Sequence, residues 1–487
     1  MDPTLTPPRS SVAPWRTLAL IAALGAVYAT FARLALRAFP FSGDEYSYFL
    51  QAELFARGVL HAPTPVHPEL LRVDHVLLTP WVCSKYPPGT SALLAIGVRL
   101  GVPWLVTPLE GVVALIAMRA AARRLLGERD AFVAVAVLGG APLFAFQAAS
   151  FYSHTAAVMW LAIAFALAVA WTTEGGAWRM LVAGAAIGGA FVTRPLDAVL
   201  FGLALISLRA WRPVVLAAAG AVPLVIVLLA YQAAQFGSPL TDGYAAYQPE
   251  FTAIYGASTA RPAFSPFNAV DPPQIWHHLD ILRSFLVDWT VPGTVLISLL
   301  GWAALRDDGR VAGARKIAGA IVAIFAVTLW VTIGDTDDGA RPRYLTTTLL
   351  GLAWLAAPGW RRACDLATSS LGPKVARVVG IVVWVLPVVQ LGAFVVERMP
   401  QIWVRQGLEE GVVHAGIDRG VVVVRAKYPT RYARNGPFFD RPVLYVSAPP
   451  TMSAGEVAAA FPGRDVYEAH EAPLGTQDGW HIDRVAR

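Results

Sequence analysis

The stretch TLALIAALGAVYATFARLAL, residues 17–36, is followed after the short link RAFPF by SGDEYSY, residues 42–48. About twenty apolar residues at about 1.5 Å each match the roughly 30 Å of bilayer hydrocarbon. Two adjacent carboxylates, Asp44 and Glu45, then stand just beyond that run. Similar runs of about 17 to 22 residues recur along most of the chain. With 56% hydrophobic and 15% charged residues and a mean hydropathy of +0.52, an ordinary soluble domain is excluded. Lipid offers no partner to open strand edges, so a helical bundle is expected. The first run is too long for a secretory leader and lacks a small-residue cleavage site, so it reads as a retained anchor.

The net charge of +6 does not point to nucleic acid, because Lys and Arg sit mainly in short loops between apolar runs, where they orient the chain. Arg9 and Arg16 place the N-terminus in the cytoplasm and Asp44 outside. The first outer loop then runs from about residue 40 to 102. Within it Tyr46–Arg57 reads as an interfacial helix with Glu53 and Arg57 paired one turn apart, ended by Gly58. Gly89–Leu100 reads as a second surface or re-entrant helix. Arg119, Arg123, Arg124 and Arg129 require one inward crossing, Pro103–Met118. The alternation continues through Ala131–Phe146, Thr155–Trp171, Met180–Val192, Leu196–Leu208 and Val214–Tyr231. A large outer loop, about 235–289, is followed by Val291–Leu305, Ile317–Ile333, Tyr344–Ala357 and Val375–Val396. The expectation is about eleven crossings, with the C-terminus outside and the protein in the inner or plasma membrane.

Residues 1–396 thus read as a transmembrane domain and 397–487 as a small extracytoplasmic α/β domain. Gly420–Arg425, Pro442–Ser447 and Asp465–His470 pattern as strands and Ala454–Phe461 as a helix. Cys83 and Cys364 fall on opposite sides, so no disulfide is expected. Gly184-x-x-x-Gly188 reads as close helix packing. No Walker or dinucleotide glycine motif occurs.

Asp44 and Glu45 fit two chemistries. Ser42-x-x-Glu45 is a capping box, and Asp44 can itself cap a helix. Alternatively, a carboxylate at the water-facing end of a cavity can act as general base toward an acceptor hydroxyl. Helical neighbours diverge by about 100°, so the two would have separate tasks. In Lys85-Tyr86-Pro87-Pro88-Gly89 the prolines fix the direction of Lys85, which reads either as a snorkelling interfacial lysine or as a phosphate contact. Arg194, in Val192-Thr193-Arg194-Pro195, is costly in lipid and needs a cavity or a carboxylate partner. Arg341 and Arg343 follow Asp335, Asp337 and Asp338 on the outer side, against the positive-inside trend; a phosphate or those aspartates would explain them. His154 lies at an outer helix end and reads as packing or as a substrate contact. His277-His278 lacks companion ligands for zinc.

Gly43-Asp44-Glu45-Tyr46, Lys85-Tyr86-Pro87-Pro88, Thr193-Arg194-Pro195, Phe236-Gly237-Ser238-Pro239-Leu240 with Gly243-Tyr244, and Arg343-Tyr344-Leu345 together resemble GT-C glycosyltransferases over roughly residues 15–395. The branch is that of the protein O-mannosyltransferases and lipid A aminoarabinose transferases, family 39 and its bacterial relatives. The resemblance implies an integral-membrane glycosyltransferase taking a sugar from a polyprenyl-phosphate donor to an extracytoplasmic lipid, glycan or protein acceptor, with inversion. It implies Asp44 as base or acceptor-orienting carboxylate and Glu45 as acceptor contact. Lys85, Arg194, Arg341 and Arg343 would hold the donor phosphate, and Tyr46, Tyr86, His154, Tyr244 and Tyr344 are candidate substrate contacts. Relatives often carry an aspartate where this chain has His154. No cofactor or metal set is expected, a divalent cation being the one open addition. The rival readings are a flippase-like polyprenyl-phosphate transporter and a surface-polysaccharide polymerase or ligase. Charges clustered at the outer boundary, with no repeated halves, favour the enzyme.

Overall fold

The computed structural model describes residues 12–256, 272–331, 342–426, 429–449, 451–471 and 479–486. The first apolar run forms α1 (Pro14–Thr30), continued by a π-type turn through Ala35. The next helix, α2 (Gly43–Ala56), begins three residues earlier than Tyr46 because its capping box acts: Glu45 N–H donates to Ser42 Oγ at 3.2 Å, and Ser42 N–H to Glu45 Oε2 at 3.0 Å. An antiparallel sheet follows, built from β1 (Ala62–Pro63), β2 (Val76–Leu77) and β3 (Trp81–Ser84) in the order β1-β3-β2. Strands this short carry too little alternation to be read from sequence. The loop closes with α3 (Pro88–Arg99), packed against α2.

The bundle comprises α4 (Val106–Leu126), α5 (Glu128–Gly140), α6 (Pro142–Ala149), α7 (His154–Glu174), α8 (Ala177–Phe191), α9 (Pro195–Leu205) and α10 (Trp211–Phe236). After α11 (Gly243–Tyr255) and α12 (Pro272–Val287) come α13 (Thr294–Ala304), α14 (Ala312–Val331), α15 (Thr348–Leu371) and α16 (Pro373–His414). The expected crossings coincide with helices, except that Ala131–Phe146 is broken into α5 and α6 and Ile317–Ile333 runs past the described residues. By length and apolarity alone, however, five described helices can cross a membrane, or six if α5 and α6, bent by 64°, count as one. Several others are too short to pass that test singly. The protein is a multi-pass helical membrane protein.

Two thirds of the apolar window of α7 is buried (67%), against 17% for α10 and 6% for α16. Helix α7 is therefore central, while α10 and α16 present Val222, Ile226, Val378 and Val388 outward, a surface suited to lipid and not to water. Close helix contact depends on glycine. A Cβ on Gly184 of α8 would stand 2.0 Å from the Ala217 carbonyl oxygen of α10, and one on Gly220 1.9 Å from that of Leu181. The packing reading of Gly184 is thus the structural one.

The bundle has two distinguishable ends. At one, Arg119 makes a bidentate pair with Glu128 at 2.8 and 3.1 Å, Glu174 is held between Arg124 and Arg179, and Arg361 meets Asp130 at 2.9 Å. The other end carries the folded first loop.

Helix α16 runs unbroken from Pro373 to His414, across residue 396. The C-terminal part contains β4 (Gly420–Arg425), β5 (Val443–Val446), α17 (Ala454–Ala460), β6 (Val466–Glu471) and β7 (Trp480–Ala486). Its sheet has the order β5-β4-β6-β7, parallel except for β7. Val421–Val424, Leu444, Val446 and Trp480 share one hydrophobic core with Leu50, Leu54, Leu70, Leu71, Val73 and Val82 of the first loop. Glu53 pairs with Arg441 at 3.6 Å and also feels the charge of Arg57, which itself lies over Phe438 at 4.5 Å. Cys83 is buried and Cys364 half-buried, both as free thiols.

Replacing Gly220 by Val must push α8 from α10 and should cost about 1–3 kcal/mol. Thermal unfolding in detergent should show a lower midpoint for Gly220→Val, with Gly202→Ala, where a Cβ meets open space, unchanged.

Candidate functional site

Asp44 is the second residue of α2, where exposed backbone N–H groups favour a negative charge. Its Oδ1 accepts a hydrogen bond from Tyr86 Oη and lies 3.3 Å from His75 Nε2, while its Oδ2 lies 3.1 Å from Arg343 Nη1. The side chain is 14% exposed and that of Arg343 only 9%. Burial by itself would raise the Asp44 carboxyl, but Arg343, His75, Lys85 and the Tyr86 hydroxyl together hold it well below the usual carboxylate range.

Lys85 follows β3 and is ringed by tyrosines. Its Nζ lies 5.0 Å from the ring centre of Tyr86, 4.9 Å from Tyr244 and 5.0 Å from Tyr247, each within cation–π range. Gly243 makes this cage possible: a Cβ there would come within 2.0 Å of the Lys85 carbonyl oxygen. The start of α11 is thereby laid directly on Lys85. Burial pushes the ammonium down to about 8, although Asp44 and Asp74 oppose that shift.

Arg194 caps the start of α9. Its Nε is 3.4 Å from Asp197 Oδ2, its Nη1 donates to Ser153 Oγ at 3.3 Å, and its guanidinium lies 5.6 Å from the Tyr344 ring. Asp197 also accepts from Thr347 Oγ1 at 2.8 Å. The carboxylate partner considered for Arg194 thus exists, on the next turn of its own helix. Gly89 N–H donates to the Val192 carbonyl at 2.7 Å, so the Lys85–Gly89 and Val192–Pro195 stretches touch through their backbones.

Arg343 sits in the turn before α15, 4.9 Å from the Tyr152 ring and 5.8 Å from Tyr344. His154, the first residue of α7, is 3% exposed and stands edge-on to Tyr152 and Tyr344. Neither of its ring nitrogens has a hydrogen-bond partner among the described residues. Tyr244 is 53% exposed and Tyr344 36%, so these two form the rim of the cluster. Beside them Leu196, Leu200, Phe325, Leu345, Asp197, Thr328 and Tyr344 line a narrow groove between α9, α14 and the turn before α15, whose cavity volume of about 10 Å³ is that of roughly one water.

Asp44, Lys85, Tyr86, His154, Arg194, Tyr244, Arg343 and Tyr344 are therefore brought into one cluster. Glu45 and Tyr46 are not. The Glu45 carboxylate is fully buried and accepts from the N–H groups of Phe41 at 3.0 Å, Ser42 at 3.0 Å and Phe151 at 2.7 Å. Buried in this way it ties the start of α2 to the segment of Phe151 and, among the described residues, faces no water-filled space, which corrects its reading as an acceptor contact. Tyr46 turns the other way, donating its hydroxyl to the Asn435 carbonyl of the C-terminal part, and is likewise withdrawn as a substrate contact. Arg341, Asp335, Asp337 and Asp338 lie outside the described residues.

Sequence reasoning missed His75, Tyr48, Tyr152 and Tyr247. Tyr48 packs on Tyr86 at 4.5 Å and shares a 3.0 Å hydrogen bond with Ser153. His75 carries no signal in the sequence: it is set beside Lys85 by the pairing of Val76 with Ser84 in β2 and β3. Among the described residues no group of three or more His, Cys, Asp or Glu converges as a metal site would.

No protein-family model matches the chain, and no curated protein matches it by sequence. Solved structures do. The lipid A aminoarabinose transferase ArnT from Cupriavidus metallidurans bound to undecaprenyl phosphate is 15% identical, with a TM-score of 0.57 over 94% of each chain. Its apo state gives 0.58 over the same shares at the same 15% identity. The oligosaccharyltransferase AglB from Archaeoglobus fulgidus, in complex with an inhibitory peptide and a dolichol-phosphate, is 11% identical, with a TM-score of 0.51 over 95% of this chain and 70% of its own. At such identities the likeness speaks for architecture alone: over 94–95% of its length this chain shares the fold of these two proteins.

Proposed function

We propose that the protein is a membrane glycosyltransferase that moves a sugar from a polyprenyl-phosphate donor to an acceptor hydroxyl or amine on the extracytoplasmic side. One observation carries the reading: a carboxylate, Asp44, and three cations, Lys85, Arg194 and Arg343, meet in an aromatic-walled cluster beside an apolar groove, at one end of a lipid-facing bundle. A donor phosphate arriving from the bilayer needs fixed positive charge at the membrane boundary. An acceptor arriving from water needs a carboxylate at the same depth. The GT-C neighbours that hold undecaprenyl phosphate or dolichol-phosphate support the choice of donor.

In the resting cluster Asp44 is a poor base, because Arg343 and its neighbours stabilise the ionised form. A phosphate competing for Arg343 and Lys85 relaxes that hold and raises the basicity of Asp44 as the donor binds. The acceptor atom then attacks the anomeric carbon, the carbon–oxygen bond to phosphate breaks, and polyprenyl phosphate leaves with the electron pair. The acceptor proton passes to Asp44. A single displacement of this kind inverts the anomeric carbon. Leu196, Leu200, Phe325 and Leu345 would flank the first isoprene units once the narrow groove between them opens on donor binding.

The same reading includes eleven crossings, an N-terminus in the cytoplasm and the C-terminal part outside. What supports it is the end of the bundle that each helix terminus touches. Helix α4 leaves the cluster end for the Arg119–Glu128 end, and α5 with α6 returns, since Phe151 N–H bonds Glu45. Helix α7 goes back to Glu174, and α8 comes up to Arg194. Helix α9 descends to Leu208, which lies with Thr172 beside Gly313 at the start of α14. Helix α10 rises to Gln235, hydrogen-bonded to His61 at 3.1 Å. Helix α15 runs from Thr347, beside Asp197, to Arg361, beside Asp130. The basic residues at the far end fit a cytoplasmic face.

Purified protein in proteoliposomes, given radiolabelled polyprenyl-phosphate sugar and a crude envelope acceptor fraction, should move label from lipid to acceptor. Movement of the intact lipid between leaflets without sugar release would favour the transporter. Asp44→Asn should lower transfer by about 10²- to 10⁴-fold with donor binding retained, whereas wild-type turnover would reduce Asp44 to a helix cap. Because the Lys85 ammonium loses its charge above about pH 8, kcat/KM for donor should fall as pH rises through that value. Lys85→Arg, which stays charged, should abolish the fall. For topology, Asp308→Cys, in the turn between α13 and α14 of a Cys364→Ser background, should react with an impermeant maleimide only in inverted vesicles.

A further inference from the structure

We infer that the C-terminal domain sets the geometry of the Asp44 carboxylate, by gripping Asp74 and so holding His75 against it. The consequence for rate rests on the transfer reading above, but the geometric claim does not.

His75 has φ of 66°, a left-handed conformation that a residue with a Cβ keeps only where its surroundings over-determine it, and such residues cluster at functional sites. The surroundings here are explicit. His75 N–H donates to Tyr247 Oη at 2.9 Å, and its carbonyl accepts from Ser47 Oγ at 2.6 Å and from Lys85 N–H at 3.2 Å. The ring is thereby delivered with Nε2 3.3 Å from Asp44 Oδ1, edge-on to Tyr86 and Tyr247.

The neighbouring residue, Asp74, is 3% exposed, and a buried carboxylate must be paired to be tolerated. Its partners include the turn Pro429–Arg431 of the C-terminal domain. Thr430 Oγ1 donates to Asp74 Oδ1 at 2.5 Å, Asp74 N–H donates to the Thr430 carbonyl at 3.3 Å, and Arg431 Nε lies 3.7 Å from Asp74 Oδ2. The start of α2 also presses on the same pair of residues. A Cβ on Gly43 would stand 2.8 Å from Asp74 Cβ and 3.2 Å from His75 Cδ2. Asp74 and His75 are thus clamped between the turn that carries Thr430 and the residue that precedes Asp44. A domain that merely covered the cavity would have no need to bond a buried carboxylate one residue from the group that touches Asp44. His75 is accordingly a positioning residue, and Thr430 acts through it.

The test uses the full chain in lipid nanodiscs. The Asp44 carboxylate stretch is identified in infrared difference spectra as the band lost in Asp44→Asn, then followed in Thr430→Val, His75→Ala and the double variant. A latch acting through His75 shifts the band in Thr430→Val, and the double variant shifts no further than His75→Ala alone. An unmoved band in Thr430→Val, or shifts that add in the double variant, overturns the proposal. If Thr430→Val does not fold, Arg431→Gln, at a partly exposed residue, takes its place with the same two outcomes. On transfer, Thr430→Val should lower kcat by about tenfold, the size of one lost hydrogen bond to a charged group, leaving the donor KM unchanged. His75→Gln, which keeps a donor at similar reach, should recover most of what His75→Ala loses. A wild-type protein that moves no sugar would sink the transfer reading, while the infrared comparison would still decide the latch.

Discussion

The interaction on which the structure turns is the pairing of Asp44 with Arg343, His75 and Tyr86. A carboxylate mostly withdrawn from water is tolerable only with opposite charge and hydrogen bonds in place, and removing one partner of such a pair costs about 3–5 kcal/mol. These partners come from three chain segments, the approach to β2, the exit of β3 and the turn before α15, and meet Asp44 at the start of α2. To satisfy one side chain, the first loop must fold back over the bundle and the last part of the bundle must meet it. The Gly89–Val192 hydrogen bond and the contact of Gly243 with Lys85 close the ring around the same point.

That arrangement is nearly neutral at rest and anion-seeking by design. Asp44 answers Arg343 and Asp197 answers Arg194, but Lys85 has aromatic faces close around it, which stabilise a cation weakly compared with a phosphate. On the proposed transfer reading, an incoming phosphodiester would gain most at Lys85 and compete with Asp44 for Arg343. That competition would convert a structural ion pair into a reactive carboxylate only when donor is present, protecting the site from idle chemistry. It also explains why cation and carboxylate share so small a volume, where a site built only to bind a lipid phosphate would be better served by removing the acid.

Much of this was legible beforehand, for a definite reason. A charge in an apolar run is conspicuous, so Asp44, Lys85, Arg194 and Arg343 stood out one at a time, and the topology placed them at one end. The helices were legible because lipid-facing α10 and α16 are apolar on nearly every side. What misled was adjacency. Glu45 and Tyr46 follow Asp44 in sequence, but the helix turns about 100° per residue, which sent one into the N-terminal cap and the other to Asn435. His75 was invisible because nothing in Val73-Asp74-His75-Val76 departs from an ordinary surface segment; its importance lies in a left-handed φ and in contacts from α2, α11 and the C-terminal domain. The small sheet in the first loop escaped notice because its strands are shorter than the periodicity that would reveal them.

The joint core of the first loop and the C-terminal domain follows from what each lacks. The loop offers two helices and three very short strands, too little apolar surface to close a core by itself. The C-terminal sheet has four strands and one seven-residue helix, α17, and a sheet must bury a face against another layer. Val421–Val424 supply a continuous run of fully buried side chains in β4, and Leu50, Leu54, Leu70 and Leu71 supply the partner surface. Each such side chain is worth about 1.5–3 kcal/mol when buried, so the two parts stabilise each other by more than their polar ties could. Helix α16 makes the meeting possible: its 42 residues span about 63 Å at 1.5 Å each, enough to cross the bilayer and continue to the level of the loop. The chain therefore closes on itself beside Asp44, its beginning and its end folding as one unit around the segment that holds His75.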